Sequence, residues 1–140
     1  MTTPLSFHHV ALNCGDPAAQ ERFYTKHFGF RRARAIDIGG GDQIIFIKLG
    51  DSYIEIFRTG AERPGLQPEK DGPVQPGVRH VAFKVDDVDA CVAGIGDEAR
   101  ITLGPLEFDS IIPGWKTVWM ADPEGNIIEI SQGFVDDRPV

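Results

Sequence analysis

Residues 9–12 read His-Val-Ala-Leu, and residues 80–83 read His-Val-Ala-Phe. These two tetrapeptides decide the fold, because they show that the chain repeats itself. Asp16 and Asp87 each follow their histidine by seven positions. Further on, Tyr53-Ile54-Glu55-Ile56 is matched by Ile127-Ile128-Glu129-Ile130. The histidines stand 71 positions apart and the glutamates 74, a mismatch that loops of unequal length absorb. Between the halves, eight of the 18 residues from Gly60 to Gly77 are Gly or Pro, a composition poor for helix or strand. The expected organisation is therefore a single domain over residues 1–140, built from a module at 5–59, a linker at 60–77 and a module at 78–133.

Each repeat predicts the same order of elements. In the first, a strand is expected over 7–13. Asp16 then suits an N-cap, with Pro17 at the favoured first helical position. The helix runs through Phe28 and stops at Gly29, burying Phe23, Tyr24 and Phe28. Strands follow over 30–36, 43–49 and 52–57, with Gly50-Asp51 as a hairpin turn. In the second, a strand is expected over 78–85, and Asp86 or Asp87 caps a short helix ending near Gly94 or Gly96. Strands at 101–108, 116–121 and 126–131 complete it, the last two joined by Asp122-Pro123-Glu124-Gly125-Asn126. The class is α+β, two β-α-β-β-β modules.

Side chains alternate between the faces of a strand. His9 and Ala11 then share one face, with Val10 and Leu12 on the other; His80 and Ala82 oppose Val81, Phe83 and Val85. Ile54 and Ile56 point away from Glu55, and Ile128 and Ile130 away from Glu129. Apolar faces can pack on the helices while the opposite faces present His9, Glu55, His80 and Glu129, and small Ala11 and Ala82 leave room beside the imidazoles. A strand histidine or a glutamate between isoleucines is ordinarily unremarkable. Recurrence of both in both repeats argues for ligands. Two imidazoles and two carboxylates suit a borderline divalent metal, nickel, cobalt, zinc, manganese or iron. Such an ion would leave positions for a bidentate substrate oxygen pair and act as Lewis acid for an enediolate, with a carboxylate as general base. His8 is expected on the face opposite His9, and His27 near a helix end where a cation is mildly favoured.

Composition narrows the remaining classes. Hydrophobic residues make up 41% and charged residues 25%, enough apolar material for a core. A net charge of −7 without a basic run argues against nucleic acid and anionic membrane partners. No apolar stretch is long enough to span a bilayer, and the first residues do not resemble a signal peptide. Cys14 and Cys91 are read as reduced. A cytoplasmic protein with a small-molecule substrate is expected.

The motifs F-H-H-V-A-L-N-C from Phe7, F-Y-T-K-H-F-G-F from Phe23, V-R-H-V-A-F-K-V from Val78 and D-P-E-G-N-I-I-E-I from Asp122 resemble the vicinal oxygen chelate superfamily. That superfamily includes glyoxalase I, bleomycin-resistance proteins and extradiol dioxygenases. The resemblance spans about residues 7–132 and implies paired modules forming a cupped mixed sheet around one metal, commonly in a homodimer. It implies that His9, Glu55, His80 and Glu129 are the metal positions of a glyoxalase I (lactoylglutathione lyase) pattern. Glu129 is the first choice of catalytic base, with Glu55 second. A glutamate at position 55 leans towards this pattern over the two-His, one-carboxylate dioxygenases and the epimerases that usually carry glutamine there, and these stand as alternatives beside a metal-independent small-molecule binding or resistance protein. Drug-sequestering relatives lack the metal set. Glyoxalase I acts on a thiol adduct of glutathione, and bacterial forms often carry an asparagine soon after the second ligand. Phe57-Arg58-Thr59-Gly60 stands here instead. Phe57, Arg58, Lys116, Trp115 and Trp119 are therefore expected to contact substrate, with Arg58, Lys116 or Lys48 holding an anionic group.

Overall fold

The computed structural model describes residues 3–138. The chain divides into two compact units, Met1–Arg63 and Pro64–Val140. In the first, β1 (His9–Cys14) leads through α1 (Pro17–Phe28) to β2 (Arg31–Gly39), β3 (Asp42–Leu49) and β4 (Ser52–Arg58). In the second, β5 (Val81–Lys84) leads through α2 (Val88–Ile95) and a short 3₁₀ turn to β6 (Arg100–Glu107), β7 (Lys116–Ala121) and β8 (Ile127–Gln132). The sheet orders are β1-β4-β3-β2 and β5-β8-β7-β6. The first strand of each unit pairs in parallel with the last, and the other pairings are antiparallel. Both units are thus β-α-β-β-β with the same topology.

The cap signals act as their chemistry requires. Asp16 Oδ1 accepts from the Ala19 N–H at 3.1 Å, and Asp87 Oδ1 from the Ala90 N–H at 3.0 Å, each satisfying a helix-end donor. Gly29 ends α1 at φ 74°, a left-handed cap that a side chain disfavours. The Glu21 carboxylate on α1 takes a forked hydrogen bond from Arg32 on β2, at 2.7 and 2.6 Å.

Strand alternation sorts core from site. Ile54 and Ile56 are buried with Ile45, Ile47, Phe23 and Tyr24 where α1 packs on its sheet. Ile128, Ile130, Val118, Met120 and Val88 do the same where α2 packs on β7 and β8. Phe28 is only half-buried, and Gln20 is fully buried in the α1 face.

The strand expected over 78–85 is shorter, Val81–Lys84. The residues before it are held from elsewhere. Arg79 makes an ion pair with Asp71 at 3.0 Å, and His80 Nδ1 lies 2.6 Å from the Asp71 carbonyl oxygen. These contacts come from the Gly/Pro-rich stretch, of which residues 64–77 count with the second unit. Gly72 closes this turn at φ 124°, where a Cβ would run into the Arg79 carbonyl.

Candidate metal centre

In the first unit, register places Ala11 beside Glu55 and His9 beside Tyr53 on one face of β1 and β4. The alanine methyl lets the imidazole lean across it, and His9 Nε2 lies 3.2 Å from Glu55 Oε1. In the second unit Ala82 stands beside Glu129 in the same way, and His80 Nε2 lies 3.1 Å from Glu129 Oε1. Each carboxylate side chain is only 16% exposed. Two donors at about 2.1 Å on adjacent corners of an octahedral ion stand about 3.0 Å apart, close to both separations. Among the described residues no three His, Cys, Asp or Glu side chains gather at one point, so within each unit the centre is a pair.

Hydrogen bonding at the far side of each ring sharpens this. The Asp71 carbonyl can only accept, so His80 Nδ1 carries the proton. In the neutral ring, Nε2 is then a bare lone pair facing a carboxylate oxygen. Two acceptors at 3.1 Å repel unless a second proton or a cation sits with them. A ring nitrogen fixed by a backbone carbonyl, with the other left free, is the usual setting of a metal-binding imidazole. The donor chemistry therefore fits a divalent ion.

His8 departs from expectation. Strand alternation predicts the face opposite His9, but His8 precedes β1, where alternation does not govern. Its Nδ1 lies 2.8 Å from His9 Nδ1, and its ring stacks against Tyr53 at 4.8 Å between centroids. It stands on the far side of the His9 ring from Glu55, where the Asp71 carbonyl stands for His80. The doublet His8-His9 was the available signal. His27 packs edge-on against Phe23 within α1.

The expected substrate residues separate by face. Arg58 alternates with Phe57 and lies away from Glu55, its guanidinium bound to Asp42 at 3.2 Å and to the Gly15 carbonyl. Lys116 lies away from Glu129 and donates to Asp89 on α2 at 2.7 Å. Its ammonium is held above the ordinary lysine range by that hydrogen bond and by the Asp89, Glu107 and Asp87 charges. Neither cation reaches the donor pair, a placement that follows from parity along the strand. Phe57 and Lys48 are on the Glu55 face, with the Lys48 ammonium 5.3 Å over the Tyr53 ring.

Trp119 is buried, stands across from Glu129, and has its ring 6.3 Å from that of His80. Trp115 lines a cleft of about 690 Å³ together with Glu129, Ala82, Lys84, Ser131 and Phe134. Trp119 Nε1 and Thr117 Oγ1 on this face are buried with no hydrogen-bond partner among the described residues. Cys14 and Cys91 form no disulfide, Cys14 Sγ lies 3.4 Å from the Phe57 carbonyl, and burial raises the Cys91 thiol. Among the described residues no helix is long and apolar enough to cross a membrane.

Paired β-α-β-β-β units, each presenting a His–Glu couple on the face away from its helix, define a class of small sheet proteins with a shared repeat. The chain belongs to the Glyoxalase/Bleomycin resistance protein/Dioxygenase superfamily, whose model matches residues 6–130. It is 37% identical over 130 residues to the uncharacterized protein YaeR of Escherichia coli K12, covering 88% of this chain and 92% of that one. A glyoxalase family protein from Enterococcus faecalis has a similar structure, with TM-score 0.67 and 29% identity over 90% of this chain and 96% of that one. Lactoylglutathione lyase from Agrobacterium tumefaciens is similar at TM-score 0.60 and 25% identity, covering 94% and 96%.

Proposed function

We propose that the protein is a divalent-metal-dependent isomerase or lyase of glyoxalase type, with His9, Glu55, His80 and Glu129 as the donors of one ion. The observation that carries this reading is the matched His–Glu couple in each unit, at 3.2 and 3.1 Å, with the His80 proton committed to a backbone carbonyl. The four donors belong to one chain or are shared across a homodimer. When bound, the ion supplies Lewis-acid polarisation of two adjacent substrate oxygens.

The chain supplies the rest. Glu129, mostly buried beside His80, moves a proton between neighbouring substrate carbons, with Glu55 as the second carboxylate able to do so. Trp119 and Trp115 wall its side of the site from water. The similarity to a lactoylglutathione lyase supports testing a thiol adduct first. Two cysteines outside any disulfide and a net charge of −7 support a cytoplasmic protein with a small-molecule substrate. A ring-cleaving dioxygenase of this family would leave Glu55 idle, whereas Glu55 is paired as Glu129 is.

Glu129→Gln should lower turnover of the methylglyoxal–glutathione hemithioacetal by about 10²–10⁴-fold while leaving the melting temperature of the metal-stripped protein near that of the metal-stripped wild type. Full activity in this variant would overturn the assignment of the base.

A further inference from the structure

The cleft beside Glu129 contains a cation that the donor set does not use. Lys84 follows Ala82 by two residues on β5 and stands in register with Ser131, just as Ala82 stands with Glu129. Its side chain therefore shares the face of the candidate centre. Lys84 is exposed, and its ammonium forms no ion pair among the described residues. Ser131 Oγ accepts from Trp115 Nε1 at 3.1 Å, which leaves the serine hydroxyl hydrogen free to donate into the cleft. The Trp115 ring is braced between Phe108 and Phe134, with centroids 4.8 and 5.6 Å away. Asp136 also lines the cleft but is exposed, where water screens its charge.

We infer that this cleft takes the tail of the substrate, a planar apolar group packed against Trp115 and Phe134 that ends in a carboxylate held by Lys84 and Ser131. The cleft volume of about 690 Å³ suits a small organic acid. The aromatic wall gives the apolar body a rigid surface, and the two donors set its direction. Lys84 thus selects acids over their neutral counterparts, the work that the sequence alone assigns to Arg58, Lys116 or Lys48. The inference rests on the proposed function only in calling the ligand a substrate tail. The cleft itself lies within the second unit and is tested without metal.

The experiment titrates metal-stripped full-length protein with phenylacetate and, separately, with uncharged phenylacetamide, following the indole N–H signals by ¹H–¹⁵N NMR. Trp115→Phe identifies the Trp115 signal. Phenylacetate should move that signal and bind about fivefold or more tightly than phenylacetamide, the scale of one exposed charge pair. Lys84→Met, an exposed position that should leave the spectrum otherwise native, should bring the two affinities together. Lys116→Met should preserve the preference. Equal affinity in the wild type, a preference that survives Lys84→Met, or a Trp115 signal that neither compound moves would each overturn the inference. None of these results bears on whether the four donors bind metal.

Discussion

At the scale of single residues, the candidate centre depends on what stands behind each ligand. His80 is oriented by the Asp71 carbonyl and His9 by the His8 ring, so each Nε2 is turned toward its carboxylate. Outer partners of this kind typically affect metal affinity by about 10–100-fold. His8→Phe keeps the ring packing on Tyr53 but removes the nitrogen. It should weaken metal binding by about that factor, read by competition with a chelator of known affinity, while the thermal stability of the metal-stripped protein stays near wild type. A loss of fold with no separate loss of affinity would show His8 to be a packing residue. The four proposed donors were legible in the sequence because they recur in both repeats. Their supports were not, since Asp71 lies in a stretch read as linker and His8 lies outside the strand whose alternation placed it. Asp122 was readable as a turn residue, but its full burial was not. It accepts from the Glu124 and Asn126 N–H groups at 2.9 Å each and from the Asn126 side chain at 3.0 Å. Asp122→Ala strands these donors and should cost about 1–3 kcal/mol in a denaturant titration. A change within error would mean the hairpin re-forms its bonds by other means.

At the scale of elements, each last strand has a core face and a site face, and mutations should divide accordingly. Ile56 and Ile130 are fully buried on the helix side of β4 and β8. Replacing either with alanine should cost about 2–5 kcal/mol by the same denaturant measurement. Glu55→Gln and Glu129→Gln, one residue away, should cost far less stability and far more metal affinity. The same parity puts Arg58 and Lys116 on the faces away from Glu55 and Glu129. A sequence shows that a cation is near a ligand along the chain, and only the register shows which face it takes. Lys116 ties β7 to α2 through Asp89, and its raised pKa sets the sign of a pH effect. A lysine raised by a partner stabilises the fold below its ordinary value of 10.5, and that contribution disappears as the pH rises through the higher folded value. The stability difference between wild type and Lys116→Met should therefore be constant at neutral pH and shrink in strong alkali. A difference independent of pH would show that the side-chain stem, not the charge, makes the contact. Helix α1 was legible end to end because Asp16, Pro17 and Gly29 are independent signals of its bounds. Strand β5 was overread because its apolar pattern continues upstream into residues that Asp71 holds out of the sheet.

At the scale of the whole molecule, the repeat is the main source of inference. Two units with the same strand order carry the same His–Glu couple at equivalent positions, beside the same small alanine. Independent packing needs would not place an ionisable pair, each carboxylate mostly buried, at the same point twice. A shared ion would neutralise both carboxylates and give the His80 Nε2 lone pair a partner. Binding to the folded chain alone would also raise its stability by linkage, so metal removal should lower the melting temperature and resupply should restore it. The central claim is that the two couples act as one metal centre. Its most direct test is a calorimetric titration of metal-stripped protein with Ni²⁺ and Zn²⁺, run beside His80→Ala. One tight site for every two couples, lost in the variant, is the predicted result. No binding, or binding that His80→Ala leaves unchanged, would contradict it.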